Sequence, residues 1–315
     1  MKNIIGMAVV FCLLAPGIII ANPGDKQPPI PVYVSILPQA DFVERIGGNR
    51  VIAEVLIPPG KSPATYSLTP AQMSALAKAR VYFRIGVPFE NALIPKIKNG
   101  APHTLVVDTR KGVRLRTMES GHHHEGEEEL HGMEAHHDEG NDGHEESLDE
   151  HAMGKDPHIW LDPLLVKIQA QTICQTLIHL DPPGKDYYQA NLEAFVGDLN
   201  ALHGEIAQAL APVKGSTVFV FHPSYGYLCD AFGLRQLAIE LEGKTPKGKD
   251  LAAFIARAKK ENVRVIFVQP QFDRNAAEKI AKSINGAVIT MDPLAGDYFV
   301  NMKNMAKAIS RALEQ

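Results

Sequence analysis

The feature of this sequence that most constrains its fold is one long run of apolar residues at helical spacing, between about residues 184 and 210. Its members alternate between spacings of four and three: Tyr188, Leu192, Phe195, Leu199, Leu202, Ile206 and Ala209. This spacing places them on one face of a single α-helix, and Pro212 and Gly215 follow its predicted end. Such a helix measures about 40 Å, the diameter of a domain or more. We therefore predict that residues 184–211 form a rigid helix linking two lobes.

Short β-branched runs alternate with helical patterns on both sides of this predicted helix. Before it, strands are predicted at residues 32–36, 51–56, 81–85 and 105–108. After it, strands are predicted at residues 217–221, 263–268 and 287–291. Strands that alternate with helices form parallel sheets covered by helices. The predicted fold class is therefore α/β, with two lobes, each a small, mainly parallel sheet flanked by helices, joined by one long rigid helix.

The helical patterns set the boundaries of the two lobes, which we place at residues 32–183 and 212–315. In the first lobe, Thr69 is the predicted cap of a helix that begins at Pro70, since proline suits the first helical position. Further helices are predicted near residues 42–47, 164–180, 225–232, 251–260, 276–284 and 299–313. Residues 243–248 are predicted to be a loop without the glycine pattern of a phosphate-binding turn.

The amino terminus has the pattern of a secretory signal. Lys2 precedes an apolar run over residues 4–20, and Ala21 is a candidate cleavage position. Pro16 and Gly17 interrupt the run, which disfavours a stable membrane helix, although an uncleaved anchor remains the alternative. We therefore predict a signal peptide at residues 1–21, a tether at 22–31 and a periplasmic location.

Residues 119–151 contain eight histidines and thirteen acidic residues but no lysine or arginine. With so few apolar side chains the segment cannot form a core, and we predict a disordered loop over residues 119–154. Acidic residues alone would make the loop soluble, so the histidines favour contact with a metal such as zinc. The predicted auxiliary metal ligands are His122, His123, His124, His131, His136, His137, His144 and His151.

The charge of the remaining chain argues against a nucleic-acid partner. Without these thirteen of its 36 acidic residues, the chain has 23 acidic and 32 basic residues. The basic residues are spread along the sequence and do not form a face interleaved with aromatic side chains. The two cysteines beyond the signal segment, Cys174 and Cys229, are too few for a disulfide framework. We predict that both are buried thiols.

Three residues at predicted strand or loop ends are candidate metal ligands. His222 follows the strand at 217–221 and Asp292 follows the strand at 287–291. In open α/β sheets, ligands bind in the crevice outside the carboxyl ends of the strands, and His158 follows the histidine-rich loop toward the same crevice. Two imidazoles and one carboxylate suit zinc and also manganese. The sequence predicts a metal site formed by these three side chains.

Several motifs resemble those of the zinc and manganese solute-binding proteins of bacterial ABC importers. They are SPATYSLTP at 62–70, DPHIWLDP at 156–163, FHPSYGY at 221–227, QPQF at 269–272 and MDPL at 291–294. They follow the family's order, and a histidine- and acid-rich insertion is typical of its zinc-binding branch. The resemblance implies that His158 and His222 are metal ligands, with Asp292 or a water completing the set. It also implies a membrane permease as partner and zinc, or alternatively manganese, as the transported ion.

The sequence departs from this family at two positions. Ala64 stands where the family usually has a histidine ligand, so a loop histidine, Glu90 or Tyr66 would have to replace it, unless three ligands and a water suffice. Gln269 stands where many relatives have glutamate. Both differences predict a weaker site or an altered choice of metal.

Two other functions compete with zinc capture and delivery to a permease. A metallohydrolase would use three protein ligands and an open position, but no His-Glu-x-x-His motif or comparable base is present. A third possibility is a periplasmic metal buffer that relies on the loop, or a binder of a non-metal ligand that has lost its metal site. We expect a monomeric binding protein that is not an enzyme, whose zinc affinity falls as the pH drops through the imidazole range.

Overall fold

The structure, a computed structural model, describes residues 28–118, 154–240 and 248–314. The predicted signal peptide, most of the tether, nearly all of the histidine-rich loop with its eight auxiliary histidines, and nearly all of the predicted loop at 243–248 lie outside these ranges. No helix within the described ranges has both the length and the apolar character required to cross a bilayer.

The first lobe is a four-stranded parallel sheet flanked by helices. Its strands are β1 (Ile30–Val34), β2 (Val51–Val55), β3 (Val81–Arg84) and β4 (Leu105–Asp108), in the order β2-β1-β3-β4. The connecting helices are α1 (Leu37–Gly47), α2 (Pro70–Leu76) and α3 (Glu90–Gly100). Every residue of β3 is buried, because it is a central strand covered on both faces. All four predicted strands of this lobe are present.

The amino terminus of α2 confirms the predicted cap. The hydroxyl of Thr69 accepts a hydrogen bond from the backbone N–H of Gln72, and the Gln72 side chain reaches back to the backbone of Thr69. This reciprocal capping box satisfies N–H groups that the first turn leaves unpaired. Helix α3, in contrast, was not predicted, because Pro95 interrupts its pattern.

The long helix is present as predicted. Helix α4 (Pro163–Leu180) leads through a short turn into α5 (Lys185–Leu210), which has 26 residues. Its buried side chains are Tyr188, Phe195, Leu199, Leu202, Ile206 and Leu210. They pack against α1 and α4 of the first lobe and against the last helix of the chain. One apolar face of α5 therefore contacts elements from both halves.

The second lobe repeats the arrangement of the first. Its strands are β5 (Thr217–Val220), β6 (Arg235–Ala238), β7 (Val265–Val268) and β8 (Ala287–Thr290), in the order β6-β5-β7-β8, all parallel. Its helices are α6 (Gly226–Phe232), α7 (Gly248–Lys260), α8 (Arg274–Ser283) and α9 (Tyr298–Leu313). Strand β6 was not predicted, because its sequence RQLA has too few β-branched residues to be recognised. The predicted fold class, two parallel-sheet lobes and a long helix, is confirmed.

The larger of two apolar cores extends through both lobes. A large cluster of buried side chains runs from the first sheet through α4 and α5 into α9, while a smaller one fills the space between the second sheet, α7 and α8. The ring of Tyr298 in α9 meets Phe42 in α1 edge-on at 4.9 Å, and its hydroxyl donates to the carbonyl of Trp160. The carboxyl ends of the strands in both sheets border the cavity described next.

Candidate metal centre

A cavity of about 370 Å³ lies where the strand ends of the two lobes meet. The first lobe contributes residues 62–64 and 86–88, and the second contributes residues that directly follow β5, β7 and β8. This is the position at which open α/β sheets bind ligands. His158 and His222 both line it. The structure thus brings together two of the three predicted metal ligands.

The two imidazole rings are close enough to share one metal ion. The ring centres of His158 and His222 are 5.5 Å apart, with the ring planes at 74°. Two imidazoles bound to a tetrahedral zinc ion at about 2.0–2.1 Å would have ring centres about 5 Å apart. The observed separation is therefore close to that of a two-histidine zinc site.

Each imidazole is held by a buried carboxylate at its Nδ1 atom. An oxygen of Asp156 lies 2.7 Å from Nδ1 of His158, and an oxygen of Glu240 lies 2.6 Å from Nδ1 of His222. Asp156 is 1% exposed and Glu240 is 3% exposed. A carboxylate at Nδ1 keeps the proton on that nitrogen, so the lone pair is on Nε2, where metals bind. Among the described residues, neither Nε2 takes part in a hydrogen bond, and both are available to a ligand.

Asp156 is itself held by residues of both lobes, Arg116 of the first and Tyr227 of the second. Arg116 lies 3.5 Å from its other carboxylate oxygen, and the hydroxyl of Tyr227 donates to its backbone carbonyl at 3.0 Å. Gly226 makes room for this arrangement, because a Cβ there would overlap the guanidinium of Arg116. Burial lowers the pKa of His158 more than Asp156 raises it, so this imidazole is neutral at neutral pH.

The backbone of His222 is clamped by Gln269. The Gln269 amide donates to the His222 carbonyl at 2.8 Å and to Ser224 Oγ at 2.7 Å, while its oxygen accepts from the His222 N–H at 3.3 Å. The ring of Phe272 stacks on the His222 imidazole, with ring centres 4.8 Å apart. An amide forms both the donor and the acceptor contacts of this clamp, which a carboxylate cannot do.

The third predicted ligand, Asp292, is not grouped with the two histidines. One of its carboxylate oxygens accepts from the side chain of Gln271 at 3.0 Å and from the backbone N–H of Leu294 at 2.9 Å. The residue borders a separate small cavity beside residues 57–61. Asp292 is not among the residues that line the cavity with His158 and His222. No group of three His, Cys, Asp or Glu residues in the described part of the chain is placed to hold a metal.

The cavity wall also contains Ala64, whose side chain has no metal-binding atom. Two of the substitutes suggested by the sequence are engaged elsewhere. The carboxylate of Glu90 is fully buried and accepts from Ser35 and from the backbone N–H groups of Ile85 and Gly86. The hydroxyl of Tyr66 donates to Gln72. The eight loop histidines lie outside the described residues.

Sequence reasoning missed Glu240 and did not single out Asp156. Asp156 stands two residues before His158 in the motif DPHIW, and this spacing was an available signal. Glu240 follows β6, the strand that was not predicted, and lies 18 residues from His222 in the chain. Only the pairing of β6 with β5 brings the two side chains together.

Comparison with known proteins identifies relatives of the whole chain. Residues 32–312 match the family described as "Zinc-uptake complex component A periplasmic", ZnuA. The high-affinity zinc uptake system protein ZnuA of Yersinia pestis is 30% identical over 307 residues, which cover 96% of this chain and 95% of that protein. A crystal structure of ZnuA has a TM-score of 0.77 and 35% identity, covering 90% of this chain and 99% of the other. A ZnuA deletion mutant with zinc bound is equally similar, with a TM-score of 0.77, 35% identity and coverage of 90% and 98%.

Proposed function

This chain belongs to the family of periplasmic zinc-uptake complex component A, and on that premise we propose that it captures zinc outside the cytoplasmic membrane and delivers it to an ABC permease. The family consists of solute-binding components, and the relative in Yersinia pestis is named as a high-affinity zinc uptake protein. The cargo is zinc, with manganese as the alternative. The signal sequence at residues 1–21 directs export, and the protein acts as a monomer without catalytic activity.

The observation that best supports zinc as cargo is the pair of carboxylate-held imidazoles. Their separation of 5.5 Å suits one tetrahedral ion, and imidazole nitrogen is a preferred ligand of zinc. Manganese prefers oxygen ligands, which the described lining offers only as amide, hydroxyl and backbone groups. The donor set therefore favours zinc over manganese.

We assign His158 and His222 as the protein ligands of the transported ion. Asp156 and Glu240 orient them and increase the basicity of Nε2. Asp292, the third predicted ligand, accepts a hydrogen bond from the side-chain amide of Gln271 and acts on the cavity through that residue. The loop histidines would form a separate, weaker collecting site.

Calorimetric titration with zinc tests this assignment. The full mature chain, a variant lacking residues 121–151, His222→Ala and His158→Ala would be compared, with His179→Ala as a control, because His179 is exposed on α4. One tight site should survive the loop deletion and weaken at least about 100-fold in either ligand variant, while His179→Ala changes nothing. The proposal is wrong if all zinc binding disappears with the loop, since the protein would then be a loop-based buffer.

A further inference from the structure

The cavity is much larger than a zinc ion with two waters requires. Its volume of about 370 Å³ equals about twelve waters, at about 30 Å³ each in the liquid. Pockets for small organic ligands start at about 300 Å³. Much of its wall is apolar, including Val87, Trp160, Phe272 and Leu294. Such a wall suits the carbon atoms of an organic molecule better than the hydration shell of an ion.

The described lining supplies only half of a zinc coordination sphere. Zinc in proteins binds Cys, His, Asp and Glu and takes about four ligands. Of the described residues that line the cavity, only His158 and His222 belong to these types. The polar remainder consists of amides, hydroxyls and one amine, for example Asn91, Gln271 and Ser224. Two positions on the ion are therefore left for groups outside the described lining.

A cationic side chain in the cavity wall indicates that the groups that fill these two zinc positions carry negative charge. Lys155 is half-buried, lines the cavity and has no ion-pair partner in the described part of the chain. The lining itself contains no carboxylate among its described residues, because Asp156 and Glu240 lie behind the imidazoles and bind them. An ammonium group in a cavity wall forms its strongest hydrogen bonds with a carboxylate or another oxyanion.

From these three observations we infer that the cavity binds zinc as a complex with a small carboxylate chelator, such as an amino acid or a hydroxycarboxylic acid. This inference rests on the proposed function, because it specifies the chemical form in which zinc is captured. The chelator occupies the two remaining zinc positions with a carboxylate oxygen and a second nitrogen or oxygen. A free carboxylate oxygen meets Lys155, and the carbon skeleton lies against the apolar wall.

Equilibrium dialysis of the full chain with radiolabelled chelator tests the inference. L-histidine represents the amino acids and citrate the hydroxycarboxylic acids, each with and without zinc chloride. About one labelled molecule per protein should be retained when zinc is present, since two coordination positions remain, and none should be retained without zinc. Retention should be lost in His222→Ala. The arm that retains label identifies which of the two classes fits the cavity.

Variants of Lys155 test the role of the cation. Lys155→Met should weaken retention of the label at least about tenfold, because the charge-assisted hydrogen bond is lost. Lys155→Arg should restore most of it. Lys61→Met is the matched control, because Lys61 is exposed and borders the other small cavity. It removes the same charge and should leave retention unchanged.

Two results would overturn the inference and leave the proposed function intact. In the first, zinc binds in a manner that depends on His222, but neither label is retained with it. In the second, zinc binds tightly without any chelator, and deletion of residues 121–151 weakens this binding, so that a loop histidine completes the set. If zinc binding does not depend on His222 under any condition, the proposed function itself fails.

Discussion

The carboxylate of Glu240 lies 2.6 Å from Nδ1 of His222, although 18 residues separate them in the chain. The parallel pairing of β5 with β6 creates this contact, because both residues lie just beyond the carboxyl ends of these neighbouring strands. Since Glu240 is 3% exposed, its negative charge acts on the imidazole with little screening by solvent. The contact determines which nitrogen of His222 is free to bind an ion.

Replacement of Glu240 by glutamine should therefore reduce zinc affinity without removing a ligand. Glutamine cannot supply the negative charge that makes Nε2 a better donor, and we expect a loss of about 10- to 100-fold. This loss should be smaller than that of His222→Ala. Calorimetric titration at pH 7.5 measures both.

The control for this variant is Glu278→Gln, which removes an exposed carboxylate paired with Arg274 on helix α8. It should leave zinc affinity unchanged. Equal affinities of the wild type and Glu240→Gln would show that Glu240 does not influence the metal site.

A third imidazole placed in the cavity wall should strengthen the binding of zinc alone. Ala64 lines the cavity, and Ala64→His would add a nitrogen ligand to a site that has two. We expect zinc affinity in the absence of a chelator to rise about tenfold or more. Thr65→His is the control, because Thr65 does not line the cavity. If both variants bind zinc like the wild type, position 64 does not face the ion.

Addition of one methyl group at Gly226 should destabilise the protein. A Cβ at this position would overlap the guanidinium of Arg116 and push it away from Asp156. We expect Gly226→Ala to lower the free energy of unfolding by about 1–3 kcal/mol, as overpacking in a core does. Urea unfolding in the presence of a zinc chelator measures the change.

Gly197→Ala provides the opposite case for the same experiment. Gly197 lies within α5, and a Cβ there would meet no atom within 4 Å. Alanine should therefore stabilise the helix by about 0.5–1 kcal/mol. A Gly226→Ala variant as stable as Gly197→Ala would contradict the close approach of Arg116.

The free energy of unfolding should depend on pH through the charge of the buried Asp181. Its Oδ2 atom accepts from Tyr188 Oη and from Arg50 Nε, both at 2.7 Å. Burial alone raises the pKa of Asp181, but the hydrogen bonds from Tyr188 and Arg50 outweigh it and hold the pKa below its ordinary value. A carboxyl group with a lowered pKa in the folded state stabilises that state above its unfolded pKa, and this stabilisation is lost as the pH falls through the folded pKa.

Asp181→Asn should therefore be less stable than the wild type at pH 7, by about 1–3 kcal/mol. The difference should shrink as the pH falls below about 4, the ordinary pKa of an aspartate. Urea unfolding between pH 3 and pH 7 measures it, and Asp198→Asn serves as a control, since Asp198 is exposed beside Arg45. A difference that stays constant over this range would mean that Asp181 does not carry the stabilising charge.

Much of the fold was predictable because it depends on local patterns. The apolar stripe of α5, the Thr69 cap and the β-branched strands are each encoded by residues that are neighbours in the chain. Helix α3 and strand β6 were not predicted, because their own sequences lack such local patterns. Pro95 interrupts the helical pattern, and the residues 235–238 have no strand pattern of their own. Their conformation comes from packing on neighbouring elements.

The candidate site likewise has one part that the sequence predicts and another that only the tertiary structure determines. The sequence by itself determined the residues with metal-binding chemistry, since His158 and His222 stand beside recognisable motifs and strand ends. Only the tertiary structure decided how they are used: it paired His222 with Glu240, turned Asp292 toward Gln271 and left Ala64 and Lys155 in the cavity wall. The physical reason is that a motif specifies which atoms can bind an ion, whereas hydrogen bonds between distant segments determine where those atoms point.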